Sequence, residues 1–275
     1  MTALCFNAFS HSAYLGADPD LPSQIDAASD AGFPLFGPDK FSLDAWVQGG
    51  RNIESLVTQM ARRGMRCGEI AAGVFLTDRE TSLAEARHVA TLAAVLQPTW
   101  VQINVGVEPD LQACETLDQI CDLIAPTGAR VAIEYLPYVL VNNIATTKIM
   151  VDYVGTDRAG ILVDTWHHFR GPDTFTELQA LPLAHIAYVQ FDDALPMLGN
   201  DLPHETLHRR ALPGEGEFDL KGFCDVLNQK GYEGIVSVEV ISDAWRSRPL
   251  CEFVNKAYDT SRIYWPKGQT PQSPT

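Results

Sequence analysis

Positive charge is scarce in this sequence: 20 Lys and Arg stand against 35 Asp and Glu, a formal net charge of −15. A polyanion is repelled by a surface of its own sign, which argues against a nucleic-acid partner or an anionic lipid surface. Long apolar runs are also missing. No window approaches the ~20 apolar residues of a membrane span, and Met1–Ser10 lacks a basic start followed by an apolar stretch. The chain reads as soluble and cytoplasmic. Six cysteines (Cys5, Cys67, Cys114, Cys121, Cys224, Cys251) show no CxxC spacing, which speaks against a zinc knuckle or a disulfide framework and for reduced core thiols. No GxGxxG follows the first strand pattern, and no GxxxxGK followed by Ser or Thr occurs, so the usual sequence support for a nucleotide cofactor is absent.

What is present suits a globular protein, since 46% hydrophobic residues supply a core and 20% charged residues are too few for a disordered polymer. Short runs rich in Val and Ile alternate with amphipathic stretches, the pattern of repeated βα units around a parallel sheet. Strands are expected at 3–9, 33–37, 65–71, 100–105, 130–136, 160–165, 186–192 and 234–241, the second weakened by Pro34 and Gly37. Helical patterns cover 20–31, 52–63, 81–96, 111–125, 143–154, 173–181, 219–230 and 249–264. Asn52 is placed to cap the second and Asp219 the seventh, while Pro98 stops the third. Eight such pairs without a linker predict one α/β domain, a (β/α)8 TIM barrel over residues 1–266, followed by a flexible tail at 267–275. An open doubly wound sheet is the competing topology. The insertion Ala194–Arg210, after the seventh strand, would stand over a barrel's catalytic face as a lid or substrate loop.

Strands of a parallel barrel are covered on both faces and should read as unbroken apolar runs. Four consecutive ones do not. Glu134, Asp164, Gln190 and Glu239 interrupt them near their C-terminal ends, where a barrel places its chemistry. Three buried carboxylates meeting at one mouth need positive charge, and these strands contain only Arg130, at the opposite end. One divalent ion is the simplest neutraliser. The all-oxygen set suits Mg²⁺ or Mn²⁺ better than zinc, with Co²⁺ also compatible. The alternative is that each acid bonds separately to loop amides or an arginine.

His167, three residues after Asp164, is placed to donate to a substrate oxygen or shuttle a proton, whereas His168 reads as structural or exposed. Arg210 would offset the acids and hold a substrate oxygen, and Arg209 reads as a solvated loop charge. Asp192 shares Gln190's side of its strand, so Asp192 or Asp193 is a candidate supporting partner. Asn7, Glu69, Gln102 and Asn104 are candidates to line a substrate cavity. Trp166, Tyr135, Tyr138 and Trp245 could wall the site off from solvent or simply pack.

The ordered motifs Ile133-Glu134-Tyr135, Val163-Asp164-Thr165-Trp166-His167-His168, Val189-Gln190-Phe191-Asp192, Arg210-Ala211-Leu212-Pro213-Gly214-Glu215-Gly216-Glu217 and Ser237-Val238-Glu239 resemble the xylose isomerase-like TIM-barrel superfamily, in particular its sugar phosphate isomerase/epimerase group. The resemblance implies that Glu134, Asp164, Gln190 and Glu239 are metal ligands, Gln190 replacing the family's usual histidine. It also implies roles at substrate for His167 and Arg210. The Gln variant looks like bacterial 3-dehydroshikimate dehydratases of this fold. The chain departs from them in lacking the expected arginine within Ala71–Leu76 and a histidine within Tyr135-Leu136-Pro137-Tyr138.

The first expectation is a metal-dependent isomerase or epimerase of a small ketose or keto-polyol. Glu134 and Glu239 would exchange a proton through an enediolate, with His167 and Arg210 on substrate oxygens. A dehydratase sharing the proton abstraction, with His167 as its acid or base, is the runner-up. A sugar-binding barrel without turnover is a third reading. No basic cluster marks a phosphate pocket, which favours an unphosphorylated substrate. Assembly into a homo-oligomer is compatible with the sequence.

Overall fold

Nine strand segments form one wholly parallel sheet, nearly closed into a barrel and surrounded by helices. The computed structural model describes residues 2–18 and 20–266, so the tail expected at 267–275 lies outside the described residues. In chain order the elements are β1 (Ala3–Asn7), α1 (Leu21–Ala31), β2 (Leu35–Gly37), α2 (Lys40–Gln48), α3 (Ile53–Arg62), β3 (Arg66–Cys67), β4 (Glu69–Leu76), α4 (Arg79–Leu96), β5 (Trp100–Val105), α5 (Leu111–Ile124), β6 (Arg130–Glu134), α6 (Ile144–Val154), β7 (Ala159–Asp164), α7 (Thr165–Arg170), α8 (Phe175–Ala180), β8 (Ile186–Phe191), β9 (Asp193–Ala194), α9 (Leu202–His208), β10 (Arg210–Ala211), α10 (Leu220–Gln229), β11 (Ile235–Val238), α11 (Asp243–Arg246) and α12 (Leu250–Tyr264). The sheet order is β3-β2-β1-β11-β8-β7-β6-β5-β4. Only Gly68 separates the two end segments, so they are parts of one third strand, and the bridge Asp39–Ala71 helps draw the seam together. A Cβ at Gly68 would lie 2.9 Å from Cys5 Sγ, which is why this position has no side chain.

Alternate residues of each strand face the barrel axis. Trp100, Ala132, Leu162 and Tyr188 pack together there, apart from the larger core between sheet and helices. Two residues further along each strand the axis-facing position turns polar: Gln102, Glu134, Asp164 and Gln190, all buried. Asn104 pairs in register with Glu134, Asp164 with Gln190, and Gln190 with Ser237, two residues before Glu239. The apolar plug thus carries a polar layer at the end where the strands finish. Arg130 stacks on Trp100 at the other end, its guanidinium 4.0 Å from the ring centroid.

The expected barrel is present, and the differences from the sequence reading are local. The third strand continues through Leu76. Ala72 takes a left-handed backbone (φ 48) and the register shifts between Ile70 and Val74, a bulge that the small residues Ala71-Ala72-Gly73 conceal in the sequence. Four helices were not anticipated, one of them the single turn α11. α2 is capped by Asp39, whose carboxylate accepts from Ser42 N; α7 begins directly at Asp164, which caps it; α9 lies inside the Ala194–Arg210 insertion. Asn52 and Asp219 cap α3 and α10 as expected. All six cysteines are free thiols, five of them buried. No helix among the described residues is long and apolar enough to cross a membrane.

His11 packs against Phe253, ring centroids 4.9 Å apart, with neither ring nitrogen bonded. Burial, reinforced by Arg246, lowers its pKa to about 4. The fold therefore favours neutral imidazole: stability is complete above the ordinary histidine value of about 6.5 and falls as pH drops from there toward about 4. Between pH 7.5 and pH 5, urea unfolding should show the variant His11→Leu losing about 1–2 kcal/mol less stability than the wild type. Equal losses would show that this histidine does not carry the effect.

Candidate active site

A cavity of about 420 Å³ opens where the barrel strands end. Its polar floor contains Gln102, Asn104, Glu134, His167, Arg210 and Glu239; its walls contain Phe9, Tyr14, Phe41, Phe75 and Tyr138, with Pro203, Thr206 and Leu207 contributed by α9. The Ala194–Arg210 insertion accordingly stands over the cavity.

Each acid of the floor is held by named donors. Glu134 Oε2 accepts from Gln102 Nε2 and Asn104 Nδ2, both at 2.6 Å, and its Oε1 lies 3.3 Å from His167 Nε2. Gln102 is itself oriented by the strained bulge: the Ala72 N–H donates to Gln102 Oε1 at 3.0 Å, which turns the amide NH₂ toward Glu134. Asp164 Oδ1 accepts the His167 N–H at 2.9 Å as the cap of α7, and Oδ2 accepts from Arg210 Nη1 at 2.8 Å. Glu239 Oε1 accepts from Asn7 Nδ2 at 3.0 Å and Gln190 Nε2 at 3.2 Å, while Oε2 lies 3.2 Å from Arg210 Nη1. Gln190 Oε1 is buried without a hydrogen-bond partner, as is His167 Nδ1.

Arg210 reaches this floor from outside the barrel. β9 and β10 pair antiparallel, Arg210 opposite Ala194. The adjoining Asp193 carboxylate accepts from the N–H groups of Ala194, Gly214, Gly216 and Phe218, fastening the Pro-Gly turn. A Cβ on Gly216 would come within 2.3 Å of Asp193 Oδ1 and Ala194 O, so only glycine fits this wrap. Arg210 Nη1 then meets Asp192 at 2.5 Å in addition to Asp164 and Glu239, and its Nε and Nη2 bond to Thr206. Asp192 and Asp193, alternatives in the sequence, thus have separate duties: one faces the guanidinium, the other fastens the loop.

The charges do not balance. Burial pushes the Asp192 and Glu239 carboxyls well above the usual carboxylate range despite Arg210, and neighbouring acids add to the rise. Burial would raise Asp164 too, but Arg210 and His167 outweigh it and hold this carboxyl below its ordinary value. One guanidinium faces Glu134, Asp164, Asp192 and Glu239, so the floor is short of positive charge. Glu134, Asp164 and His167 also present ligand atoms within 4.8 Å of one another. The unpartnered Gln190 Oε1 and the carboxylate surplus fit a divalent cation.

Of the other residues singled out in the sequence, Asn104 is on the floor, while Asn7 and Glu69 lie beneath it. Asn7 Nδ2 also contacts Glu69 Oε1 at 3.4 Å, and Glu69 hydrogen-bonds Ser237. Burial pushes the Glu69 carboxyl up to about 7, with the Ser237 hydrogen bond opposing. Tyr138 lines the cavity; Trp166 packs against Arg210, its ring centroid 5.9 Å from the guanidinium carbon; Trp245 packs on Phe253 instead. His168 is buried against Phe175 and Phe223 and is structural. Thr206 and the Ala72 amide carried no polar or periodic signal that sequence reading could use.

Fold and site together define a TIM barrel with a carboxylate-rich centre at the ends of its strands. A xylose isomerase-like TIM barrel model matches residues 25–258, and the chain belongs to that family. It is 28% identical over 239 residues to a 3-dehydroshikimate dehydratase of Pseudomonas aeruginosa, covering 83% of this chain and 37% of that protein. It is 27% identical over 147 residues to an inosose isomerase of Halalkalibacterium halodurans, covering 53% of this chain and 51% of that one. The chain thus spans about half or less of these relatives' lengths. The crystal structure of an IolI protein with a bound zinc atom superposes with a TM-score of 0.84 at 18% identity, covering 96% of this chain and 98% of that one.

Arg209, expected as a solvated loop charge, is instead largely buried, donating to Pro196 O and lying 3.6 Å from Glu205. Removing the one cation of a buried ionic cluster leaves its acids uncompensated, at a cost of about 3–5 kcal/mol. Arg210→Gln should lower urea-unfolding stability by about that amount, while Arg262→Gln, at an exposed ion pair with Asp259, changes it by less than about 1 kcal/mol. Similar small effects from both would show that the cluster does not depend on Arg210.

Proposed function

We propose that the protein is a divalent-metal-dependent isomerase or epimerase of a small ketose or keto-polyol. The observation that carries this reading is that Glu134 and Glu239, held by separate donor sets, line one cavity together with His167 and Arg210. Glu134, Asp164, Gln190 and Glu239 would hold the ion, and their oxygen donors favour Mg²⁺ or Mn²⁺; the Glu134–Asp164–His167 grouping, with its imidazole, is the arrangement that would favour zinc. The ion supplies a charge that polarises a ketone and acidifies the adjacent C–H.

The chain's own residues do the proton work. One of Glu134 and Glu239 removes the proton beside the carbonyl and the other returns it from a second direction, since they stand on different strands. Gln102 and Asn104 keep Glu134 Oε2 occupied and leave Oε1 beside His167. His167 holds a substrate oxygen and limits the reactive pose. Arg210, expected on a substrate oxygen as well, has its nitrogens on Asp164, Asp192, Glu239 and Thr206 and instead positions the acids.

The match to a dehydratase over 83% of the chain favours a second reading. The same abstraction would be followed by loss of a β-hydroxyl, which leaves as water with a proton from His167 and gives an alkene. ¹H NMR in D₂O with inososes, ketoses and 3-dehydroshikimate separates the readings: α-proton exchange with stereoinversion marks an epimerase, and a new alkene signal marks a lyase. Binding of a polyol with neither change would describe a sugar-binding barrel and overturn both. Metal analysis of the purified protein should find about one divalent ion per chain, and much less in Glu239→Gln. Equal, negligible content in both overturns the metal reading.

A further inference from the structure

The cavity sets largely apolar walls above its polar floor. Phe9, Tyr14 and Phe41 form a contiguous aromatic group at its mouth, with ring centroids 5.9 Å apart for Phe9–Tyr14 and 4.8 Å for Tyr14–Phe41. Phe75 and Tyr138 add two more rings, and Leu207 of α9 joins them. Tyr14 is 56% exposed, Phe75 43% and Tyr138 38%, so these side chains are not part of the packed core. Water-facing aromatics gathered around a cavity lose that contact only when something apolar enters. A missing side chain makes room for one of them: a Cβ on Gly106 would come within 2.7 Å of the Phe75 ring.

Charge narrows the occupant further. Among the described residues that line the cavity, Arg210 is the only lysine or arginine. Its Nη1 is committed to Asp164, Asp192 and Glu239, and its Nε and Nη2 to Thr206. With the hydroxyketone end on the floor where the divalent ion would sit, a carboxylate or phosphate at the other end of the substrate would find no uncommitted lysine or arginine among the lining residues. The volume of about 420 Å³ falls in the range of pockets that enclose ligands of drug-like size, about 300–1,000 Å³.

We infer that the substrate is a neutral ketose or other hydroxyketone that also carries an aromatic or similarly flat apolar group, with its hydroxyketone edge on the Glu134–Glu239 floor and its apolar group within the Phe9–Tyr14–Phe41–Phe75 collar. This rests on the reading of the floor as a carbonyl site. It adds the opposite end of the molecule.

The test compares three probes by calorimetry on the Mn²⁺-loaded protein: 2-hydroxyacetophenone, hydroxyacetone and dihydroxyacetone phosphate. The first two share the hydroxyketone and differ in phenyl against methyl; the third is anionic. 2-Hydroxyacetophenone should bind at least about tenfold more tightly than hydroxyacetone, and dihydroxyacetone phosphate more weakly than either. In Tyr14→Ser and Phe75→Ser, both at exposed positions, the phenyl-to-methyl ratio should fall several-fold toward one. Equal binding of the first two probes, tightest binding of the anion, or a phenyl preference unchanged in both variants overturns the inference. Exchange of the α-protons in D₂O is scored separately. Exchange without phenyl preference removes the collar and keeps the proton chemistry, whereas phenyl preference without exchange removes the chemistry and keeps the collar.

Discussion

Arg210 is the constraint on which the centre of this barrel depends. Its Nη1 lies within hydrogen-bonding or ion-pair distance of Asp164, Asp192 and Glu239 at once, in a place where all four groups are buried. Acids grouped this way repel one another, and removal from water raises the cost of each charge. A guanidinium suits the position better than an ammonium, because its planar fork serves the acids with one nitrogen and Thr206 with the other two. It still supplies one charge against several. That imbalance makes the floor receptive to an added cation and gives its oxygen atoms a reason to converge.

The remaining stabilisation comes from groups that donate without charge. Asn7, Gln102, Asn104 and Gln190 each turn an amide NH₂ toward Glu134 or Glu239. An amide satisfies a carboxylate lone pair yet leaves its net charge in place, so the acids keep the capacity to attract a metal or accept a proton. Lysines at those positions would have neutralised the site. The same economy governs the loop that carries Arg210. Asp193 spends its carboxylate on backbone N–H groups, and the glycine at 216 permits the close wrap, so the guanidinium is presented by a fastened turn rather than a loose loop.

Much of this was legible in the sequence for one physical reason: a strand covered on both faces has no innocuous place for a carboxylate. Glu134, Asp164, Gln190 and Glu239 stood out against valine and isoleucine, and period-two alternation put Asp192 on the side of Gln190. The alternation of apolar runs and amphipathic stretches likewise revealed the barrel. Other features were hidden by their chemistry. Ala71-Ala72-Gly73 looks like a strand running out, although the strand continues through a bulge to Leu76, because small residues fit either conformation. α2 follows β2 so closely that its apolar residues merged with a weak strand pattern. Phe9, Tyr14, Phe41 and Phe75 could not be told from core aromatics, since composition does not report which rings face solvent. That Arg210 would offset the acids was legible, but its bonds to Thr206 and its route to the floor were hidden, because they depend on β9 and β10 pairing, a contact between two-residue segments.

The two ends of the cavity come from different parts of the chain. The acids and their arginine follow residue 130, on β6 and β7, just beyond β8, at β10, and just beyond β11, whereas the four collar aromatics Phe9, Tyr14, Phe41 and Phe75 precede residue 77, with Tyr138 and Leu207 completing the walls from later in the chain. The four-ring collar and the reacting groups are therefore carried on separable stretches of polypeptide. A lineage could alter the early connections, and with them the molecules admitted, while leaving untouched the later segments that break and remake bonds.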